Sequence, residues 1–224
     1  MNPSATTPLL PAHQTMLLAH RAMVHDLGRI ARTAEQLATT PDPERAAALR
    51  AYVDKLFQVI EHHHEGEDDF LWPRLRELGA DEAALDLMTE EHEMLAKLLH
   101  AWHVASTRLG TADDSAAELA QLTAGVHDHL AEHAGDEERE LLGRLSPALG
   151  EQIWKEHATH MRKTAPGWTM SFLPSWLLSV AAPGEQHGVP AVLIARLFSA
   201  RLKRTRRAAF GENYSLPIDK PQHP

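Results

Sequence analysis

Residues 62–75 read HHHEGEDDFLWPRL, and a degenerate copy of this stretch, HAGDEERELLGRL, occupies residues 133–145. The aligned copies share a histidine followed four residues later by a glutamate: His63 and Glu67, His133 and Glu137. On a helix, this His-x-x-x-Glu step puts an imidazole and a carboxylate on one face, one turn apart. Two such steps in an antiparallel bundle can surround a pair of metal ions. The repeat therefore predicts a metal site.

The composition limits the ligands that such a site can use. The chain has 224 residues, and its hydrophobic share of 43% is ordinary for a folded globular protein. It contains no cysteine, which excludes disulfides, iron–sulfur clusters and thiol catalysis. Any metal is therefore held by nitrogen and oxygen ligands. The 16 histidines are the unusual feature of the composition, and eleven of them lie between His20 and Glu137.

Charge and hydropathy limit the partners and the location. The formal net charge of −9 argues against general nucleic-acid binding, although residues 190–210 carry six basic residues and no acidic one. The first eight residues lack the basic start and apolar run of a signal peptide. The longest apolar stretch, residues 168–182, is short for a membrane span and contains Pro174. We expect a cytoplasmic protein that neither spans a membrane nor binds nucleic acid.

Apolar residues recur at helical spacing along the chain, and strand signals are nearly absent. Proline, glycine and aspartate mark the boundaries, as at Pro43, Gly79 and Gly110. These signals predict four helices, near residues 11–39, 43–78, 81–109 and 113–146, the last one closed by Ser146 and Pro147. Long helices joined by short loops are typical of an up-down-up-down four-helix bundle, so we predict an all-α fold. Pro73 is expected to kink or end the second helix.

The sequence changes character after Pro147. Residues 148–164 predict a fifth helix, residues 168–182 are rich in tryptophan, phenylalanine and leucine, and residues 190–209 predict a basic amphipathic helix. We assign residues 12–146 to the bundle and residues 147–224 to a helical C-terminal extension and tail. The aromatic stretch is interpreted as packing over the bundle or as a contact in a homodimer. The basic residues of the last helix are interpreted chiefly as a solvated face.

Two further histidines extend the repeat to the first and third helices. His20 precedes His63 by 43 residues, and His92 precedes His133 by 41. In two stacked antiparallel hairpins of this length, the four histidines reach the same level of the core. Two imidazoles and a share of two bridging carboxylates can then be offered to each of two metals. Such a ligand set without thiolate suits iron or manganese, and it also accepts zinc.

Other histidines compete for these roles. His25 and His129 are open alternatives as ligands in the first and fourth helices. His62 and His64 lie about 100° either side of His63, so we expect them to point to neighbouring helices or to solvent. The remaining candidates are interpreted as surface or packing residues: His100, His103, His157, His160 and His187.

The order His, His-x-x-x-Glu, His, His-x-x-x-Glu resembles the hemerythrin-like (HHE cation-binding) domains over about residues 12–146. An acidic residue, an apolar pair and Pro-x-Leu after the first glutamate add to the likeness. The resemblance implies a carboxylate-bridged, non-haem centre of two iron ions. By residue, it implies four terminal histidine ligands and two bridging glutamates: His20, His63, His92, His133, Glu67 and Glu137.

The chain departs from the oxygen-carrying hemerythrins at two positions. Those proteins have a second histidine four residues on in the third helix, where this chain has Ala96. They also have an aspartate five residues after the last histidine, whereas Glu137 stands at plus four. The chain is therefore more similar to bacterial and iron-sensing members, which have fewer protein ligands and more positions open to water, O2, hydrogen peroxide or NO.

The resemblance implies a protein that binds O2 or reacts with peroxide or NO. Whether it is an enzyme with catalase- or peroxidase-like activity stays open at this point. One alternative is an iron or redox sensor that signals through residues 148–210. Another is an iron-buffering protein, which would use the same ligands.

Overall fold

The computed structural model describes residues 10–140 and 150–215, and within these two segments every regular element is helical. The first segment contains α1 (Pro11–Thr39), α2 (Pro43–Gly66), α3 (Trp72–Glu77), α4 (Glu82–Thr107) and α5 (Ser115–Glu137). The second contains α6 (Glu151–Thr164), α7 (Thr169–Leu178) and α8 (Val192–Phe210), with 3-10 turns at Pro183–Gly188 and Gly211–Ser215. The all-α prediction is confirmed for the described residues.

Short polar residues and glycines determine where the bundle helices begin and end. The Asp42 carboxylate accepts the backbone N–H of Arg45 at 3.0 Å, which caps the start of α2. Asp81 accepts the N–H of Ala83 at 3.0 Å and caps α4 in the same way. Gly79 and Gly110 have φ angles of +75° and +77°, a left-handed conformation that ends the preceding helix at little steric cost.

The predicted second helix changes its hydrogen-bond pattern in the middle instead of ending at Pro73. A π-helical turn over Glu67–Leu71 joins α2 to α3. Pro73 lies in the first turn of α3, directly after the π-helical turn ends. We predicted that Pro73 either kinks or ends the helix. It does not end the helix, since the chain stays helical to Glu77.

The end of the fourth bundle helix repeats this arrangement. α5 ends at Glu137, and residues 138–140 continue as a π-helical turn. Both predicted bridging glutamates thus lie where an α-helix changes to a π-helical turn, a feature that is frequent at functional sites. The predicted boundary at Ser146 and Pro147, and the predicted start of the fifth helix at residue 148, lie outside the described residues.

Helices α1, α2, α4 and α5 surround a common apolar core. α1 packs against α5 and α2, and α4 packs against the same two helices. The larger apolar cluster includes Leu27, Ile60, Leu95, Trp102 and Leu130. A second, smaller cluster contains Met16, Leu71, Trp72, Leu75, Leu85, Met88 and Trp154. Along α2 and α4 the predicted ligands lie between these two clusters, so a polar layer separates two dry regions.

The extension packs on the bundle and shares its larger apolar cluster. Phe172, Trp176 and Phe210 belong to the same cluster as Tyr52 and other residues of α2. The Tyr52 ring meets the Phe210 ring edge-on, with centroids 4.7 Å apart. Within the described residues, none of the helices combines the length and the hydrophobicity needed to cross a bilayer.

A buried polar network fixes α7 and α8 to α1. The Asp26 carboxylate, which is fully buried, accepts hydrogen bonds from the Arg206 guanidinium at 2.9 Å, the Trp176 indole at 2.7 Å and the Tyr52 hydroxyl. Burial alone would raise the pKa of Asp26, but Arg206 and Arg29 outweigh burial and hold this pKa below its ordinary value. Arg206 is thus buried and paired, whereas the other basic residues expected on a solvated face, Arg201, Lys203, Arg204 and Arg207, are exposed.

We expect Arg206→Ala to lower the free energy of unfolding by about 3–5 kcal/mol, because the change leaves the Asp26 carboxylate buried without its partner from α8. Chemical denaturation at pH 7 measures this loss. Arg204→Ala is the matched control, since Arg204 is exposed on the same helix, and its effect should stay within about 0.5 kcal/mol. An Arg206→Ala loss no larger than that of the control would contradict the role of this network.

Candidate metal centre

The six residues predicted as ligands come together in one buried layer of the bundle. α1 provides His20, α4 provides His92, and the remaining four come from the two His-x-x-x-Glu steps: His63, Glu67, His133 and Glu137. All six side chains are buried, and both glutamates have no exposed surface. The structure thus brings the whole predicted set into one place, while the role of each residue as a ligand stays a prediction.

Each glutamate lies between two histidines, one from each half of the repeat. Glu67 places Oε1 at 3.2 Å from Nε2 of His63 and Oε2 at 3.8 Å from Nε2 of His92. Glu137 places Oε2 at 3.1 Å from Nε2 of His20 and at 3.8 Å from Nε2 of His133. A carboxylate that bridges two ions needs this intermediate position.

The imidazoles form two facing pairs. The Nε2 atoms of His20 and His63 are 3.0 Å apart, and those of His92 and His133 are 3.1 Å apart. The ligand atoms form two groups, and within each group all atoms lie within 4.8 Å of one another. The first group comes from His20, His63, Glu67 and Glu137, and the second from His64, His92 and His133. The described residues therefore offer two adjacent cation positions.

Three outer carboxylates orient the histidines. Nδ1 of His20 donates to Glu138 at 3.0 Å, Nδ1 of His92 donates to Asp68 at 2.8 Å, and Nδ1 of His133 donates to Glu91 at 2.8 Å. A carboxylate on Nδ1 fixes the tautomer, leaves Nε2 free to face the centre and increases the basicity of the ring. Asp68 and Glu138 occupy equivalent positions in the two copies of the repeat, each directly after its glutamate.

His64 is the residue of the centre that sequence reasoning missed. It is buried, its Nδ1 donates to the Ile60 carbonyl at 2.7 Å, and its Nε2 belongs to the group with His92 and His133. α2 packs between α1 and α4, so neighbouring residues on α2 can face the two different histidine pairs. The run of three histidines was the available signal, but it does not distinguish His64 from His62, which bonds Thr164 at 2.9 Å.

His25 and His129, the two histidines left open as alternative ligands, lie apart from the ligand atoms described above. His129 donates from Nε2 to the Glu91 carbonyl at 3.1 Å. Burial lowers the pKa of His25 to about 4. Among the described residues, neither side chain belongs to the two groups of converging ligand atoms.

Unpaired buried atoms show that the site is suited to cations. Apart from their contacts with the imidazole nitrogens of the centre, the carboxylate oxygens of Glu67 and Glu137 have no partner among the described residues, and Nε2 of His64 is buried without one. Such atoms are costly to bury unless a ligand compensates them. Burial also lowers the pKa of His133 to about 4 and the pKa of His64 far below its ordinary value. Neutral imidazoles and deprotonated carboxylates are the forms that bind metal.

The comparison with known families agrees with this geometry. A family model described as the hemerythrin HHE cation-binding domain matches residues 12–145. The chain belongs to this family. No curated protein and no solved structure matches the chain. The hemerythrin domain is a cation-binding domain, and the buried histidine and glutamate groups of this chain can hold the cations.

The pKa values of the two glutamates in this hemerythrin domain shift in opposite directions. Burial, and then the charge of Glu137, raises the pKa of Glu67 well above its ordinary value. Burial acts in the same direction on Glu137, but His20 outweighs it and lowers the pKa of Glu137 to about 2. Burial would lower the pKa of His20, but Glu137 and Glu138 raise this pKa to about 10. Protonated His20 therefore pairs with ionised Glu137, and the raised pKa of Glu67 favours its neutral form.

We expect metal binding near pH 7.5 to release about one proton per chain from His20, whose pKa is about 10, and a further fraction from Glu67, whose pKa is raised, because neither group binds metal in its protonated form. The affinity for metal should also rise with pH up to about 10, where His20 loses its proton. Calorimetric titration of the metal-free protein with Zn²⁺ in two buffers of different ionisation enthalpy measures the release.

His20→Ala should release about one proton fewer than the unchanged protein. Glu65→Gln is the matched control, because Glu65 is exposed on the same turn as the ligands and should leave the proton release unchanged. Binding without proton release would show that the charges assigned to His20 and Glu67 are wrong.

Proposed function

We propose that this protein is a non-haem di-iron protein that binds O2 or reacts with hydrogen peroxide or NO. One observation carries the proposal: two fully buried carboxylates lie between facing imidazole pairs, and apart from these imidazoles their oxygens have no hydrogen-bond partner among the described residues. Two separate groups of ligand atoms favour a pair of cations over a single one. Imidazole and carboxylate ligands without thiolate suit iron, and they also suit manganese or zinc.

In this proposal, His20 and His63 hold one ion, His92 and His133 hold the other, and Glu67 and Glu137 bridge them. His64 is added as a third nitrogen ligand for the second ion, because its side chain converges with those of His92 and His133 and its Nε2 is unpaired among the described residues. The sequence alone predicts two histidines for each ion. The added histidine makes the two positions unequal and leaves more of the first position to exogenous ligands.

We also propose that α1, α2, α4 and α5 run up-down-up-down. In antiparallel hairpins, contacting residues are equally far from the loop that joins their helices. His20 and His63 flank the loop before α2 in this way, and Trp102 and Thr123, bonded at 2.9 Å, flank the loop between α4 and α5. These contacts support alternating helix directions.

Bound iron would supply the redox chemistry, and the chain supplies the ligands, their orientation and a dry surrounding. The outer carboxylates hold the imidazoles in place before any small molecule arrives. The apolar clusters on both sides of the layer exclude water from it. Interactions between charges are stronger in such a dry site than in water.

A cleft between α2 and α4 gives small molecules a route to the second position. It has a volume of about 160 Å³, and buried His64 and His92 belong to its lining. Exposed Ala96 lies on its wall, at the position where oxygen-carrying hemerythrins have a further histidine. The small side chain at this position leaves room for a diatomic molecule or a peroxide.

We expect the iron-loaded protein to contain about two irons per chain, and we expect Glu67→Ala and Glu137→Ala each to empty the centre. Each carboxylate contacts both cation positions and screens the repulsion between the ions. Metal analysis after desalting measures the content, with exposed Glu65→Gln as the matched control. Less than half an iron per chain in the unchanged protein, or full occupancy in Glu67→Ala, would refute the proposal.

We expect Ala96→Trp to slow the reaction of the iron-loaded protein with hydrogen peroxide by about tenfold or more, because the indole fills the cleft; a tenfold loss corresponds to about 1.4 kcal/mol. Stopped-flow absorbance measures the rate. Met94→Trp adds the same side chain at an exposed position of α4 outside the cleft and should react normally. Equal rates for the two variants would show that oxidants do not enter here.

A further inference from the structure

Helix α6 of the extension lies directly against the turn that precedes Glu67. A Cβ atom added to Gly66 would lie 2.0 Å from Sδ of Met161 and 3.7 Å from Nε2 of His157. A glycine inside a helix costs about 0.5–1 kcal/mol relative to alanine, so its presence calls for a reason. The close approach of α6 is that reason. The glycine of the HHHEGE motif therefore accommodates a helix that lies outside residues 12–145, the part matched by the family.

His157 presents an unpaired nitrogen at this contact. Its side chain is more than nine-tenths buried, and its Nε2 has no hydrogen-bond partner among the described residues. The imidazole ring is held between Phe70 and Trp154, with ring centroids 5.8 and 6.0 Å away. Burying a polar nitrogen without a partner costs about 1–3 kcal/mol. A ligand that accepts a hydrogen bond from Nε2 would remove this cost.

His157 lies on the side of the first cation position, near His20 and His63, and not on the side of the cleft. α6 packs against α1, α2 and the π-helical turn that begins at Glu67, whereas the cleft lies between α2 and α4. Burial lowers the pKa of His157 to about 4, and the nearby charge of Glu137 opposes this shift. The imidazole is therefore neutral near pH 7, and a neutral imidazole carries one N–H that it can donate.

We propose that His157 donates a hydrogen bond from Nε2 to a small anion or oxidant bound at the His20 and His63 end of the centre. This inference rests on the proposed function. Nε2 of His157 does not belong to the groups of ligand atoms that converge within 4.8 Å among the described residues. A residue that donates a hydrogen bond to a metal-bound molecule lies farther from the metal than a ligand does, by the length of one hydrogen bond, about 3 Å. The extension thus contributes a positioning residue to the centre of the bundle.

The test uses the full-length, iron-loaded protein and azide as the probe anion. His157→Phe removes the N–H and keeps a ring between Phe70 and Trp154. We expect iron content and the thermal midpoint to stay close to those of the unchanged protein, while the dissociation constant for azide rises about tenfold or more, as for loss of a buried hydrogen bond to an anion. His157→Gln, which retains an N–H donor, should recover part of the affinity.

His160→Phe is the matched control, because His160 lies one turn away on α6 and its ring stacks on Phe70 with centroids 5.6 Å apart. Its azide affinity should change less than about twofold. An unchanged azide affinity in His157→Phe would overturn the inference. Loss of one iron in that variant would also overturn it, since His157 would then be a ligand. Iron content of the unchanged protein below half per chain would refute the proposed function itself, independently of these comparisons.

Should His157→Phe fail to fold, His157→Leu tests the same hydrogen bond with a smaller apolar side chain. Leucine removes the N–H and takes up less space than phenylalanine beside Phe70 and Trp154. We expect the same loss of azide affinity in this variant. Normal azide affinity in a folded, iron-loaded His157→Leu protein would contradict the proposed hydrogen bond.

Discussion

The burial of two carboxylates in an apolar core is the constraint on which the other features of this molecule depend. Glu67 and Glu137 have no exposed surface, and an uncompensated buried carboxylate is among the most costly groups that a protein can contain. The protein reduces this cost by raising the pKa of Glu67, which favours its neutral form, and by pairing Glu137 with protonated His20. A pair of cations would compensate both carboxylates at once. The apolar clusters above and below the layer make this compensation strong, because they keep water away from it.

The π-helical turns explain how adjacent residues serve the same centre. Glu67 contacts two histidines from within the core, while Asp68 accepts a hydrogen bond from the outer nitrogen of His92. A wider helical turn at this point changes the angle between successive side chains. Glu137 and Glu138 make the equivalent contacts with His20. The two halves of the repeat thus preserve the local helix geometry together with the ligands.

The sequence was sufficient to predict those parts of the molecule that depend on local signals and on the internal repeat. Helix boundaries follow from capping aspartates and left-handed glycines. Four of the six predicted ligands follow from the matched His-x-x-x-Glu steps, and His20 and His92 follow from their similar distances before these steps. The role of His64 was not predictable, because it depends on which helices flank α2. The pairing of Asp26 with Arg206, which are 180 residues apart, left no local pattern. The cytoplasmic location, a homodimer, and the sensing and buffering alternatives stay predictions.

The attachment of the extension bears on how His157 would act. α8 is fixed to α1 through Asp26 and Arg206, and α7 contributes Phe172 and Trp176 to the core of the bundle. Neither contact involves a predicted metal ligand. α6 precedes these helices and is constrained by the close packing at Gly66. A donor held by such packing is oriented before its ligand arrives, and preorganised donors bind charge more strongly than donors that must be ordered during binding.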